Sequence, residues 1–133
     1  MSPETNRNLR TAMEAEAFAH ARFARFAAYA RMHNDPDLAR LFQTIADEER
    51  MHHFAMEADL AGATGSDADN LRHAIEDVSK HIEMYGHFAE QAATAGDTKA
   101  AEMFGSIRQD ETSHQHAFMD ALKREATTQA EPL

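Results

Sequence analysis

The sequence predicts an all-α fold built from two repeated helical hairpins, and three observations carry that prediction. Apolar residues recur at three- and four-residue spacing along nearly the whole chain, with no competing strand-like alternation. Helix-starting and helix-stopping residues cut this pattern into four long segments. Sliding the chain by 62 residues against itself gives 16 identities over the 54 positions from 8 to 61 without a gap. A chain this rich in alanine would give roughly four or five by chance.

The elements follow in order. Ser2 before Pro3 is a capping start, and Leu9, Met13, Phe23, Ala27 and Ala30 form the apolar stripe of a first helix. The stripe stops at His33-Asn34-Asp35-Pro36, where Asp35 caps a second helix with Pro36 in its first turn. That helix places Leu38, Leu41, Phe42, Ile45 and Met56 inward and runs to about Ala61. Gly62 to Asp69 is rich in Gly, Ser and Asp, and Ser66 caps a third helix that buries Leu71, Ile75, Val78, Ile82, Tyr85 and Ala89. Gly96-Asp97-Thr98 turns into a fourth helix with the stripe Ala100, Met103, Phe104, Ile107, Phe118 and Leu122. One domain over residues 1–124 is expected, with repeats at about 8–61 and 70–123. The segment 125–133 has no pattern and is expected to be a flexible tail.

Composition narrows the function classes. The 133 residues suffice for one core without covalent staples, and there is no cysteine, so disulfides, thiolate metal sites and thiol nucleophiles are excluded. A net charge of −10 argues against nucleic acid as a partner, because phosphate binding needs clustered Lys and Arg. The polar amino-terminal stretch and the lack of any long apolar run predict no membrane partner and a cytoplasmic location.

Two copies of Glu-x-x-His, Glu49 to His52 and Glu111 to His114, coincide with the 62-residue offset. Alone the motif is weak: 13 Glu and 9 His in this chain supply about one copy by chance. Within the repeat it becomes a duplicated half-site. Glu49 follows Ile45 by four and Glu111 follows Ile107 by four, so both pairs point inward, and Glu16 shares the inward phase of Met13 and Phe23. Buried carboxylates are costly unless paired or coordinated, and facing helices bearing such sets suit a dinuclear carboxylate site.

Asn8-Leu9, Glu16, Ala21-Arg22 and Ala39-Arg40-Leu41-Phe42, leading to Glu49 and His52, together with Glu83-Met84-Tyr85 and Glu111 to His114, resemble the rubrerythrins of the ferritin-like di-iron superfamily. The similarity runs from about Asn8 to Leu122. It implies a ferritin-like four-helix bundle holding two Fe ions per site, with other divalent metals possible on purification, through Glu16, Glu49, His52, Glu111, His114 and a helix-three carboxylate. It further implies an oxidoreductase that reduces hydrogen peroxide, or uses dioxygen, and oxidises Fe(II). The rubredoxin-like module of many relatives needs four cysteines and has no counterpart in this sequence, so turnover requires an external electron donor such as a rubredoxin.

The sequence departs from that pattern in the third helix. The repeat partner of Glu16 is Val78; a one-residue shift makes Asp77 the equivalent, and His81, one turn on, is the best replacement ligand. A second family Glu of this helix corresponds to Lys80 or His81. The family tyrosine of helix one is replaced by Phe23, while Tyr85 is retained and is expected to support catalysis by hydrogen bonding near the metals. If the departures weaken the centre, the alternative is a non-catalytic metal-binding or iron-handling helical dimer with an incomplete second metal site. His53 and His116 adjoin the motifs and suit a supporting position around the metals.

In the superfamily helices two and three run parallel, so a chain closing its own bundle must return about 34 Å along it at about 1.5 Å per helical residue. Roughly six loop residues span at most about 22 Å. A domain-swapped homodimer is therefore expected, in which the first hairpin of one chain packs on the second hairpin of the other.

Overall fold

A computed structural model describes residues 1–130, and only the backbone of 128–130. All elements among them are helical, as the sequence predicts, and they fall into two compact units, the first ending at Thr64 and the second starting at Gly65.

In the first unit α1 (Pro3–Met32) packs against a rod formed by α2 (Pro36–Glu48), a π-helical turn (Glu49–Phe54) and α3 (Ala55–Ala61). The predicted caps form. Ser2 Oγ accepts the Thr5 N–H at 3.1 Å, and Asp35 Oδ1 accepts the Leu38 N–H at 3.2 Å. Gly62 ends α3 in the left-handed region at φ 66°, which an L side chain adopts only with strain. The two rods meet through small side chains: Ala27, Ala30, Ala39, Ala46 and Ala58 are the buried apolar residues of this unit. His20 adds a polar tie, its Nδ1–H donating to the Ala46 carbonyl at 3.0 Å. Phe23, Phe26 and Phe42 cluster beside it, with ring centroids 5.3 to 6.5 Å apart.

In the second unit α4 (Asp67–Ala95) packs along α5 (Thr98–Ala130). Ser66 Oγ caps α4 by accepting the Asp69 N–H at 3.1 Å, and Gly96 closes it at φ 85°. Val78 and Ala92 are buried, and Tyr85, Phe88 and Phe104 form an aromatic cluster with centroids 5.6 to 6.5 Å apart. These three residues are the 62-residue partners of Phe23, Phe26 and Phe42, so the repeat extends to packing.

One sequence expectation is corrected, and one helix runs further than its apolar stripe. The fourth helix continues past Arg124 to Ala130, with Thr127 Oγ1 donating to the Lys123 carbonyl at 3.0 Å; residues 131–133 of the expected tail lie outside the described residues. Met56 is not inward but 69% exposed, while Ala58 is buried. The cause is the π-helical turn, in which the Ala55 N–H reaches back five residues to the Arg50 carbonyl. Such a turn spends an extra residue per revolution and rotates everything beyond it. Leu60 and Leu122 are identical repeat partners, yet Leu60 is 63% exposed and Leu122 is half-buried on a regular helix.

Among the described residues no side chain larger than valine is buried. A helix pair covers one stripe of each helix, and the remaining apolar surface of each unit, including Phe18, Leu41 and Met103, needs a further neighbour.

Candidate metal centre

In the first unit the ligand-type side chains come from two helices. Glu16 stands midway along α1, and Glu49 opens the π-helical turn opposite it. The histidine that joins them is His53. Its Nδ1 lies 3.2 Å from Glu49 Oε2 and 3.5 Å from Glu16 Oε1. One ligand atom from each of Glu16, Glu49 and His53 falls within 4.8 Å of the others, the separation at which three donors can share one cation. Both carboxylates are half-buried and His53 is exposed. Glu16 Oε2 is shut off from solvent and accepts no hydrogen bond. An unsatisfied, shielded carboxylate oxygen is costly, and a cation among these groups would remove that cost. The donor set therefore fits a divalent metal.

His52, which the Glu-x-x-His motif nominates, is exposed and outside this group. Sequence reasoning gave His53 only a supporting place. The signal that could have found it is its four-residue spacing from Glu49, which a helix accommodates as readily as three.

In the second unit the set is different. Glu111 on α5 is half-buried and lies between two exposed histidines: its Oε2 is 3.3 Å from His81 Nδ1 on α4, and its Oε1 is 3.7 Å from His114 Nδ1 on its own helix. Here the residue three positions after the Glu does approach it. Of the two candidates for the third helix, the structure brings His81 to Glu111 and leaves Asp77 exposed. Val78 fills the buried position that the repeat assigns to Glu16. Tyr85, one turn beyond His81, is half-buried with its ring at 6.1 Å from Phe104. Gln115, the repeat partner of His53, is taken up by packing, its Nε2 donating to Ser79 Oγ at 2.9 Å.

Glu and His brought together from facing helices in both halves of a duplicated chain define a ferritin-like protein of the di-iron carboxylate class. The family model described as Rubrerythrin matches residues 7–122, and the chain belongs to that family. Nigerythrin of Nitratidesulfovibrio vulgaris is 27% identical over 131 aligned positions, which cover 88% of this chain and 65% of that protein. Rubrerythrin of Porphyromonas gingivalis is 27% identical over 132, covering 90% and 66%. The chain thus spans just under two thirds of the length of the curated relatives it matches. None of the helices among the described residues is long and apolar enough to cross a membrane.

Proposed function

We propose that this chain is a di-iron oxidoreductase of rubrerythrin type, which reduces hydrogen peroxide or oxidises Fe(II) at a centre of carboxylate and histidine ligands. The observation that carries the reading is the convergence of Glu16, Glu49 and His53 around a shielded carboxylate oxygen without a partner. Glu16 and Glu49 with one imidazole would hold one iron, and Glu111 with His81 and His114 would hold the other. Oxygen and nitrogen donors of this kind suit iron, manganese, cobalt and zinc. A pair of Fe(II) ions held there would supply the two electrons that the reduction of hydrogen peroxide to two waters needs, together with two protons. The protein's share is to hold the carboxylates half-dehydrated, so that their charge acts at full strength, and to keep Tyr85 one turn from His81 as a hydrogen-bonding group. An external donor such as a rubredoxin returns the electrons, and the cytoplasm is the compartment consistent with such a partner.

The assembly that completes the bundle is a domain-swapped homodimer. Five residues, Gly62 to Ser66, separate α3 from α4, and at about 3.6 Å each they reach about 18 Å, well short of the return that a self-closed bundle requires. Light scattering on metal-loaded protein is expected to give twice the chain mass; a monomer that retains its metal would refute the swap.

A second reading has its own support. Val78 stands buried where the repeat calls for a carboxylate, which favours a non-catalytic or iron-handling dimer with a weak second site. Iron analysis with stopped-flow mixing decides between them. About two irons per site, oxidised rapidly by peroxide, support the enzyme; one iron or none, without a peroxide response, supports the binding protein.

A further inference from the structure

We propose that His53, rather than the motif residue His52, is the imidazole ligand of the first hairpin, and that the π-helical turn is the device that delivers it. The proposal rests on the metal-binding reading above and specifies one of its ligands. A regular helix turns about 100° per residue, so the residue three on from Glu49 lies about 60° to one side of it and the residue four on about 40° to the other. Spacing alone lets either histidine serve. A turn closed by bonds to the fifth residue back rotates less per residue. It draws the fourth residue toward the line of Glu49 and leaves the third further behind.

That is the arrangement found. His53 Nδ1 contacts both carboxylates, one of them from a different helix, while His52 is exposed beside them. The second hairpin gives the regular-helix comparison for the third position. There the helix is regular, the histidine three positions on from Glu111 is the one that approaches it, and the residue four positions on is Gln115, bonded to Ser79. The two halves thus differ in backbone and in the residue four positions on, and the histidine that approaches the Glu differs with them. Glu16 Oε2, shielded and unpartnered, gives a cation seated among Glu16, Glu49 and His53 a further donor.

The test uses the full-length protein and Zn(II), a diamagnetic stand-in for Fe(II) with similar affinity for nitrogen and oxygen donors. Long-range proton–nitrogen spectra report each histidine ring separately. On Zn(II) addition the His53 ring-nitrogen resonances are expected to shift, while those of the His52 ring stay where they are in the metal-free protein. In parallel, His53→Gln should weaken binding at the first hairpin at least about tenfold, with helix content by circular dichroism unchanged, and His52→Gln should change it less than about twofold. A response of the His52 ring in place of His53, an equal response of both, or loss of binding in His52→Gln alone overturns the assignment while leaving the metal site standing. If the unmodified protein binds no Zn(II) at either hairpin, the metal-binding reading itself falls, and this inference with it.

Discussion

The two hairpins begin from the same sequence plan and diverge at the same helical turn. Both carry an aromatic trio at matching positions, both enter their second helix after an Asp, and both place a Glu four residues after an isoleucine. Past that Glu the first hairpin widens into a π-helical turn and the second continues as a regular helix. The consequence is twofold. The first hairpin presents two carboxylates and His53, whereas the second presents one carboxylate between His81 and His114. Beyond the turn the face toward the neighbouring helix also changes, from half-buried Phe118 and Leu122 in the second hairpin to buried Ala58 in the first. Duplication preserved the scaffold, while the wide turn of the first hairpin, together with Val78 in the place of Glu16 and Gln115 in the place of His53, separates the two sites.

The sharpest way to break this comparison is to remove one residue from each turn. Deleting Ser113 from the regular helix rotates all that follows by about 100° and carries the half-buried Phe118 and Leu122 off the α4 face; the loss is expected to reach about 3–5 kcal/mol, the scale of losing the contacts of both side chains together. Deleting Met51 should instead relax the π-helical turn into an ordinary one and keep Ala58 inward, at a cost within about 1 kcal/mol. Denaturant titration of the two metal-free proteins measures both. Equal losses would mean that the wide turn does not set the phase of α3.

Next in size is an effect on metal rather than on folding. Glu111 lies between both histidines of the second hairpin, and Glu111→Ala is expected to weaken that site more than about a hundredfold, beyond what loss of a supporting group costs. Helix content should be nearly unchanged. Metal analysis should show the loss confined to one of two equivalents, and unchanged metal content would refute the assigned ligand.

The aromatic trios test whether packing is as duplicated as the sequence. Phe42→Ala and Phe104→Ala each remove one ring from a half-buried cluster. Each is expected to cost about 2 kcal/mol, below the range for a fully buried Phe because part of each ring is exposed. The two losses should agree within about 0.5 kcal/mol. A large difference would show that the hairpins contribute unequally to the assembled core.

How far the sequence foretold this molecule depends on how local the determinant is. The caps at Ser2, Asp35 and Ser66 and the left-handed Gly62 and Gly96 were legible because each acts within one turn of its own position. Glu16, Glu49 and Glu111 were legible because the phase of the apolar stripe fixes which face they share. The approach of His53 to Glu16 and Glu49 was not, since three- and four-residue spacings are equally compatible with one face, and a change of backbone hydrogen bonding is announced by no side-chain pattern. The same shift misplaced Met56. The helix from Glu125 to Ala130 escaped because its residues carry no stripe and continue α5 by propensity alone. On the third helix the sequence left Asp77 and His81 open, and the 3.3 Å approach of His81 to Glu111 needed coordinates.

The smallest expected change in stability separates packing from chemistry at the one position of the trios where the hairpins differ. Tyr85 occupies the place of Phe23, and Tyr85→Phe makes the second trio identical in composition to the first. The ring contacts to Phe88 and Phe104 survive, so stability should move by less than about 0.5 kcal/mol. Metal content should also stay the same, because the hydroxyl is not among the ligands assigned. If the hydroxyl serves the reacting oxygen by hydrogen bonding, its removal lowers the rate of peroxide-dependent oxidation by at least about tenfold, the scale of one positioned donor. That combination, a slower reaction on an equally stable and equally loaded protein, is the expected result. An unchanged rate would make Tyr85 a packing residue whose hydroxyl has no part in the reaction, and would bring the two hairpins closer to chemical equivalence than their ligands suggest.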